Sequence, residues 1–390
     1  MHATAASTPS SAAAGVRVGN VLMVSTSYPA DLQDWRGLFM RHLADALGRH
    51  PAIDLTLWAP PGETGSGVRL DVTASEREWL GSLMRAGGIA HLVRRGGLRG
   101  ATSAMQLLRA LRNVYRRNAD SDAFHVNWLQ NALPLPRGPQ PLLVTVLGTD
   151  MQLLRLPFMR VLLRRAFRGR PVAICPNADW MLPELTDAFG NLATVRFVPF
   201  GIDPRWFALE RRFDAHSTPK WLCVTRITRG KIGPLFEWTE SMFAHGRAEL
   251  HLFGPMQEQI DLPPWVRWHG PASPESLRET WFPQAHGLIT LSQHAEGRPQ
   301  VMLEALASGL PVVASRLPAH DDLLAGGDGG VICDSPGAVR IALDALADPS
   351  ANRTLGLRGR ARMQADIGTW DDCAQRYVSL YRELQERVRR

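Results

Sequence analysis

Two glutamates lie on either side of the start of a strongly apolar segment, at a spacing that suits ligand binding. Residues 301–308 are predicted to form a buried helix that starts at Pro299 and stops at Gly309. Glu296 precedes the helix, whose free N–H groups and positive dipole end suit a phosphate. Glu304 lies about 7 Å further along the axis, where its carboxylate can accept hydrogen bonds from ribose hydroxyls. The alternative is an ion-paired acid in the protein core, since a buried carboxylate needs partners.

A second candidate is the basic segment 226–231. Arg226, Arg229 and Lys231 come directly after the predicted strand 221–225. Cations at the carboxyl end of a strand can hold a diphosphate and neutralise the charge of a departing phosphate. The segment is not a P-loop, because the pattern GxxxxGK[ST] is absent. A solvent-exposed basic turn is the alternative interpretation.

These residues need a scaffold that brings them together, and both halves of the chain alternate predicted strands with helices. The continuous apolar run at 18–25 is typical of a buried parallel strand. Such alternation predicts an α/β protein with two Rossmann-like domains that face a central cleft. The predicted organisation is a disordered tail at 1–17, a first domain at 18–200, a linker at 201–219, a second domain at 220–369 and a terminal helix at 370–390 that packs back across the domains.

The composition is that of an ordinary globular protein, with 390 residues of which 45% are hydrophobic and 21% charged. No run reaches the roughly 18 apolar residues of a membrane span. The first 17 residues lack the apolar core of a signal peptide. We therefore expect a cytoplasmic protein. The four cysteines form no CxxC pair, so neither a zinc site nor a disulfide framework is indicated.

Positive charge is concentrated in the first half of the chain. Residues 1–200 contain 22 arginines and no lysine against 14 acids, whereas the remainder contributes −1 to the total of +7. This surplus indicates an anionic partner, such as a membrane surface or a phosphorylated acceptor. Nucleic acid is disfavoured, because no aromatic residues alternate with the basic ones and no reader motif is present. An arginine-rich genome would explain the scarcity of lysine but not the surplus over acids.

One helical pattern in this half is typical of a membrane-surface helix. Within 157–168, three arginines recur every four positions beside four apolar side chains. The arginines are Arg160, Arg164 and Arg168, and the apolar residues are Phe158, Val161, Leu162 and Phe167. Six further arginines would add to the attraction to an anionic membrane: Arg94, Arg95, Arg99, Arg112, Arg116 and Arg117. The alternative is an ordinary surface helix whose apolar side faces the core.

The ordered combination of these motifs resembles the group 1 retaining glycosyltransferases, which have the GT-B fold. Glu296 and Glu304 match the family's E-x7-E pattern, and Arg226 and Lys231 match its Arg-x4-Lys pair. The sequence VPFGID at 198–203 is similar to the family's xPNGxD turn. The resemblance is strong over the second half of the chain and moderate over parts of the first.

The resemblance implies a role for each matching residue. Arg226 and Lys231 would hold the donor diphosphate, and Glu304 would bind the ribose. Glu296 would contact hydroxyls of the donor sugar near the anomeric carbon. Lys231 and Glu296 therefore belong to the implied catalytic set as well as to the donor site.

Two loops would complete the donor site by the same resemblance. Gly37 would let the backbone of the first loop approach the phosphates, which a Cβ would block. Gly297 and Arg298 would lie beside the sugar. Arg298 stands where the family commonly has Phe, so the identity of the sugar stays open.

A larger departure lies at 147–150, where LGTD replaces the family's His-Gly-Thr/Ser-Asp motif. The family's His reaches the donor sugar, whereas Leu147 cannot shuttle a proton. Either this branch works without that group, or Asp150 acts as a catalytic acid or His125 contacts the sugar or acceptor. The alternatives are a surface acid for Asp150 and packing with structural hydrogen bonds for His125.

The resemblance implies a retaining hexosyltransferase that uses a nucleotide sugar, most often UDP- or GDP-linked, and neither a cofactor nor a metal. The acceptor would be a glycan, a glycolipid or a lipid-linked glycan in polysaccharide or glycoconjugate synthesis. The enzyme would be cytoplasmic, with peripheral contact at the inner face of the membrane. Two alternatives are a GT-B relative with epimerase chemistry and a nucleotide-sugar-binding protein without catalysis.

Overall fold

The computed structural model describes residues 17–86, 97–212 and 217–390. Nearly all of the predicted tail, together with Arg94 and Arg95, lies outside these ranges. Among the described helices, none is long and apolar enough to cross a membrane. All four cysteines are free and buried: Cys175, Cys223, Cys333 and Cys373.

Seven parallel strands form the sheet of the first domain. They are β1 (Gly19–Val24), β2 (Ile53–Trp58), β3 (Val68–Leu70), β4 (Ala123–Asn127), β5 (Leu142–Val146), β6 (Val172–Pro176) and β7 (Thr194–Val195). Their order is β3-β2-β1-β4-β5-β6-β7. Strands β4, β5 and β6 are buried throughout, as expected of a parallel sheet covered by helices on both faces.

Six parallel strands form the sheet of the second domain. They are β8 (Lys220–Val224), β9 (Glu249–Phe253), β10 (Val266–Trp268), β11 (Gly287–Thr290), β12 (Val312–Ser315) and β13 (Gly330–Cys333). Their order is β10-β9-β8-β11-β12-β13. Each sheet therefore reverses its direction of growth beside its first strand, which is where ligands bind in open α/β sheets. The predicted fold class is confirmed.

Helices cover both faces of the two sheets. In the first domain they are α1 (Leu38–Arg49), α2 (Ala74–Arg85), α3 (Gly97–Arg117), α4 (Met159–Phe167) and α5 (Leu182–Phe189). The remainder are α6 (Pro204–Phe207), α7 (Arg229–Ile232), α8 (Leu235–Phe243), α9 (Pro274–Ser276), α10 (Gln300–Ala307), α11 (Pro318–Leu324), α12 (Pro336–Ala345), α13 (Pro349–Arg362) and α14 (Trp370–Arg389).

Helix α14 follows the second domain in sequence but packs on the first. Trp370 and Tyr381 are buried in the same apolar cluster as residues of β1 and α1. The chain crosses between the domains at Ile202 and Thr369, which pair in parallel. Gly201 permits this crossing, because a Cβ there would lie 2.3 Å from the backbone N of Trp370. The helix therefore ties the two halves together.

Helix α4 differs from the basic stripe predicted for 157–168. Arg160 donates hydrogen bonds to Glu184 and Asp187 of the α5 segment, each at 3.2 Å, and Arg164 donates to the carbonyl oxygen of Ala188 at 2.7 Å. These two arginines therefore face a neighbouring helix. Phe167 is buried, but the other three predicted apolar residues, Phe158, Val161 and Leu162, are exposed.

Candidate active site

The carboxyl ends of both sheets open onto one cleft between the domains. A cavity of about 230 Å³ lies on the second-domain side of this cleft. Its wall comes from the segments that follow β8, β9 and β10, and α1 of the first domain closes it. The lining is mainly apolar: Trp35, Leu38, Phe39, Val224, Phe253, Pro255, Pro271, Ala272, Pro274, Leu277 and Val301 among others. Such a surface suits the flat face of a nucleobase.

Glu304 brings a carboxyl group into this apolar cavity from α10. Burial, together with the nearby negative charge of Asp203, raises the pKa of that carboxyl to about 8. A carboxyl group with a strongly raised pKa in a cleft is typical of a binding or catalytic site. Among the described residues Glu304 forms no ion pair, which disfavours the alternative of an ion-paired core acid, and the ribose contact stays a prediction.

A second cavity of about 290 Å³ adjoins the first. Phe39, Arg226 and Gln300 line both cavities, so Arg226 lies at their junction. Lys231 and Glu296 line the second cavity only. The structure thus brings Arg226, Lys231, Glu296 and Glu304 to one continuous cleft.

Lys231 and Glu296 form an ion pair in which both side chains are largely buried. Burial lowers the pKa of the Lys231 ammonium group, and the negative charge of Glu296 opposes that effect. Ser292 donates a hydrogen bond to the same carboxylate at 3.3 Å. The hydroxyl and the ammonium therefore hold the Glu296 carboxylate at the wall of the second cavity.

The glycines of two facing loops bring the domains into direct contact. Gly148 has a left-handed backbone with φ of 96°, and a Cβ on it would lie 2.3 Å from the backbone N of Gly297. A Cβ on Gly297 would lie 2.4 Å from the carbonyl oxygen of Leu147. Trp180 of the first domain donates a hydrogen bond to the Gly297 carbonyl oxygen at 2.9 Å. The loop that carries Glu296 is therefore held against the first domain.

We expect Gly297→Ala to lower kcat/KM by about 100-fold, because a shift of the loop by an ångström displaces Glu296 from the reacting groups. Steady-state kinetics with donor and acceptor measure the effect. Gly337→Ala is the matched control, since a Cβ there meets nothing within 4 Å. Equal activities of the two variants would show that the contact between the loops is dispensable.

Arg298, a predicted donor contact, is engaged mainly by the protein. Its guanidinium forms a buried ion pair with Asp322 at 2.6 Å and lies 4.8 Å from the ring centre of Phe197 in the first domain. The residue also lines the second cavity. Its contacts favour a role in positioning the loop between the domains rather than in holding a phosphate.

Asp150 and His125, the two substitutes for a catalytic histidine, lie in the core and outside both cavities. Asp150 accepts hydrogen bonds from the backbone N–H groups of Leu129 and Leu147, each at 3.1 Å. Burial raises the pKa of this carboxyl to about 6, against the lowering effect of those bonds. His125 contacts the hydroxyls of Tyr381 and Thr145 at 2.6 and 2.7 Å. These positions favour the structural alternative for both residues.

Several residues that the sequence patterns did not single out line the second cavity. Trp128 follows β4 and has a left-handed backbone with φ of 65°, a strain that clusters at functional sites. Asn177 follows β6, and its buried amide oxygen has no hydrogen-bond partner among the described residues. Both positions directly follow a strand, which is the sequence signal that could have identified them.

Gly37 lies at the start of α1, next to the first cavity. Its φ of 75° favours glycine, and a Cβ there would lie 2.6 Å from the Ser27 hydroxyl. The glycine therefore shapes the loop from Ser27 to Leu38.

Among the described residues, no group of three or more His, Cys, Asp or Glu side chains is arranged to hold a metal ion.

Two Rossmann-like domains with joined cavities between their carboxyl edges define a GT-B protein. Residues 222–348 match the family model described as Glycosyl transferases group 1. The second domain is thus a group 1 glycosyltransferase domain, which confirms the resemblance that the motifs in this half of the chain carry. Of the solved structures with this fold, sucrose-phosphate synthase from Thermosynechococcus elongatus has a TM-score of 0.70 at 17% identity and covers 94% of this chain and 99% of its own.

Further similarities are more limited in identity or in length. Anabaena HepE in complex with UDP and glucose has a TM-score of 0.65 at 11% identity, over 93% of this chain and 99% of that chain. The D-inositol 3-phosphate glycosyltransferase of Corynebacterium urealyticum is 30% identical over 131 residues, 33% of this chain and 30% of that protein. The match therefore spans less than a third of that relative.

Proposed function

We propose that the protein transfers a sugar from a nucleoside diphosphate donor to a hydroxyl group of an acceptor, with retention at the anomeric carbon and without a metal ion. The pair of joined cavities carries the proposal. One cavity offers apolar walls and a carboxyl group for a nucleoside. The other offers Arg226 and Lys231 for a diphosphate and Glu296 for the sugar.

The nucleoside would occupy the first cavity, with its base among the apolar residues and its ribose hydroxyls on Glu304. The diphosphate would lie at Arg226, where the cavities join, and near the start of α10. Anabaena HepE, which has the same fold, has been solved with UDP and glucose, which supports a UDP-sugar among the candidate donors. A GDP-sugar is the other donor that we propose.

In the transfer step, the bond between the anomeric carbon and the diphosphate oxygen breaks while a bond to the acceptor oxygen forms on the same face. The acceptor proton passes to the departing diphosphate. Arg226 and Lys231 neutralise the negative charge that develops there, which is the work a metal ion does in other transferases. Because the diphosphate accepts the proton, this route needs no protein group in place of the missing histidine, and neither Asp150 nor His125 lines the cavities.

The acceptor would enter from the first domain, past Trp128 and Asn177 in the second cavity. We propose a glycan, a glycolipid or a lipid-linked glycan, in polysaccharide or glycoconjugate synthesis. Its chemistry agrees with the arginine surplus of this domain, because phosphorylated lipid carriers are anionic. A cytoplasmic location, at the inner face of the membrane, stays a prediction.

A thermal-shift panel of UDP, GDP, ADP and CDP with EDTA present tests the donor site. We expect one diphosphate to raise the melting temperature, since a ligand at a hundred times its Kd adds about 2.7 kcal/mol of stability. EDTA should not weaken the effect. No response to any of the four would contradict the donor site. Stabilisation without hydrolysis or transfer, across acceptors, would favour a binding protein, and interconversion of free nucleotide sugars would favour an epimerase.

A further inference from the structure

Four large apolar side chains are exposed within seven residues around the start of α4. The exposed fractions are 50% for Leu156, 79% for Phe158, 63% for Val161 and 49% for Leu162. Phe158, Val161 and Leu162 share one side of the helix, because positions three and four apart lie together. We call these four residues the apolar face. Its opposite side packs inward through Leu163 and Phe167.

Phe158 is unfavourable for the stability of the folded protein. Its φ of 62° places a non-glycine residue in the left-handed region, where L-residues are strained. Its ring is 79% exposed, so little burial offsets that strain. Glycine or asparagine would fit this turn at a lower cost. This strained backbone therefore presents an aromatic side chain to the surroundings rather than to the core of the domain.

The charges around the apolar face are of one sign. Arg155, Arg165 and Arg168 are exposed, and residues 151–168 contain no acid. Acids of the α5 segment, Glu184 and Asp187, are already bonded by Arg160. An apolar strip bordered by free-standing positive charge is complementary to an anionic lipid surface.

We propose that the apolar face and the three exposed arginines form the surface by which the protein docks on an anionic lipid bilayer. The apolar side chains enter the boundary between headgroups and acyl chains. The arginines remain among the phosphates. This surface replaces the basic stripe of Arg160, Arg164 and Arg168 predicted for the same helix, since two of those arginines fasten it to α5.

The docking surface lies close to the cleft. Thr149 lines the second cavity and begins a 3-10 helix that ends at Arg155, directly before the apolar face. At about 2 Å of rise per residue, the seven residues of this helix span about 14 Å. A membrane at the apolar face would thus place lipid headgroups near the acceptor entrance. This last step rests on the proposed function and identifies the acceptor as a lipid-anchored molecule.

Vesicle co-sedimentation of the full chain tests the surface, with phosphatidylglycerol–phosphatidylcholine vesicles and with phosphatidylcholine alone. We expect binding to the anionic vesicles that weakens with salt. Phe158→Asp combined with Val161→Asp should reduce the partition coefficient about tenfold or more. Arg165→Gln combined with Arg168→Gln should reduce it about 30-fold at low salt. Ile341→Asp is the matched control, because Ile341 is also 63% exposed but lies in the second domain.

Phe158→Gly separates docking from folding, since it removes the ring and relieves the backbone. We expect weaker vesicle binding with a melting temperature equal to or above that of the wild type. Equal vesicle binding by the wild type and both double variants would overturn the proposal. So would a change from dimer to monomer in Phe158→Asp, which would make this face an interface between copies. If a nucleoside diphosphate still stabilised the protein when either result was found, the proposed donor site would be unaffected.

Discussion

Lys231→Ala is expected to lower kcat by about 100- to 1,000-fold, the range found when one donor to a developing oxyanion is removed. The ammonium group lies in the second cavity, and the charge on the diphosphate increases as the bond to the sugar breaks. Its contribution is therefore largest in the transition state. KM for the donor should change much less than kcat, because the ground-state diphosphate also keeps Arg226.

Lys220→Ala provides the control for this prediction. Lys220 and Lys231 are the only lysines of the chain, and Lys220 stands at the opposite end of β8, where it donates to Gln284 at 2.7 Å. We expect Lys220→Ala to retain wild-type kcat. Initial rates at saturating donor and acceptor, with circular dichroism to verify folding, measure both variants. A Lys231→Ala enzyme with unaltered turnover would refute the assignment of leaving-group stabilisation.

Glu296 complicates the Lys231 variant in a measurable way. Loss of the ammonium leaves the largely buried Glu296 carboxylate with the Ser292 hydroxyl as its hydrogen-bond donor, and a buried charge without its ionic partner is unfavourable. The double variant Lys231→Ala/Glu296→Gln should therefore be more stable than Lys231→Ala alone, yet no more active. The melting temperatures measure the contribution of the ion pair to stability, and the turnover rates measure the contribution of Lys231 to catalysis.

The strands and helices of the second domain can be predicted from the sequence, because local patterns of residues determine them. Continuous apolar runs indicated parallel strands, and Pro299 and Gly309 marked the limits of α10. Ligands bind at the carboxyl ends of the strands in open α/β sheets, so the positions of α10 and β8 predict that Glu304 and Arg226 lie in the same cleft. Spacing along the chain predicted these elements, whereas the roles of Glu304 and Arg226 came from the family resemblance.

The remaining features depend on contacts between distant segments, which spacing does not contain. Asp150 sits after a strand, as a catalytic acid would, but two backbone N–H groups that fold back onto it occupy its oxygens. His125 meets Tyr381, 256 residues away in α14. Arg160 recurs at the right period for a membrane stripe, but only the position of α5 decides which way it faces.

Donor binding is expected to weaken below pH 8 because of Glu304. Its carboxyl has a pKa of about 8 in the ligand-free protein, whereas two ribose hydroxyls are best accepted by the ionised form. Binding then requires release of a proton at lower pH. The Kd of the nucleoside diphosphate should increase by up to about tenfold for each pH unit below 8 and level off above it. Isothermal titration calorimetry at several pH values, in buffers of different ionisation enthalpy, measures both the Kd and the proton release.

Glu304→Gln separates this effect from general pH effects and reveals the cost of the site. The variant should bind the nucleotide more weakly, with a Kd that no longer depends on pH in this range, whereas Glu240→Gln on the exposed side of α8 should behave as the wild type. In the ligand-free protein, the ionised Glu304 carboxylate lowers the stability of the fold instead of favouring the bound state. A carboxyl whose folded pKa is raised from 4.5 to about 8 destabilises the fold as pH rises through that interval, because the folded state holds the proton more tightly. Ligand-free Glu304→Gln should therefore melt above the wild type at pH 8.5. A wild-type protein that melts above Glu304→Gln under these conditions would contradict the raised pKa of Glu304. A group kept for binding at the expense of folding should show the opposite result, in which its replacement raises the stability and lowers the affinity.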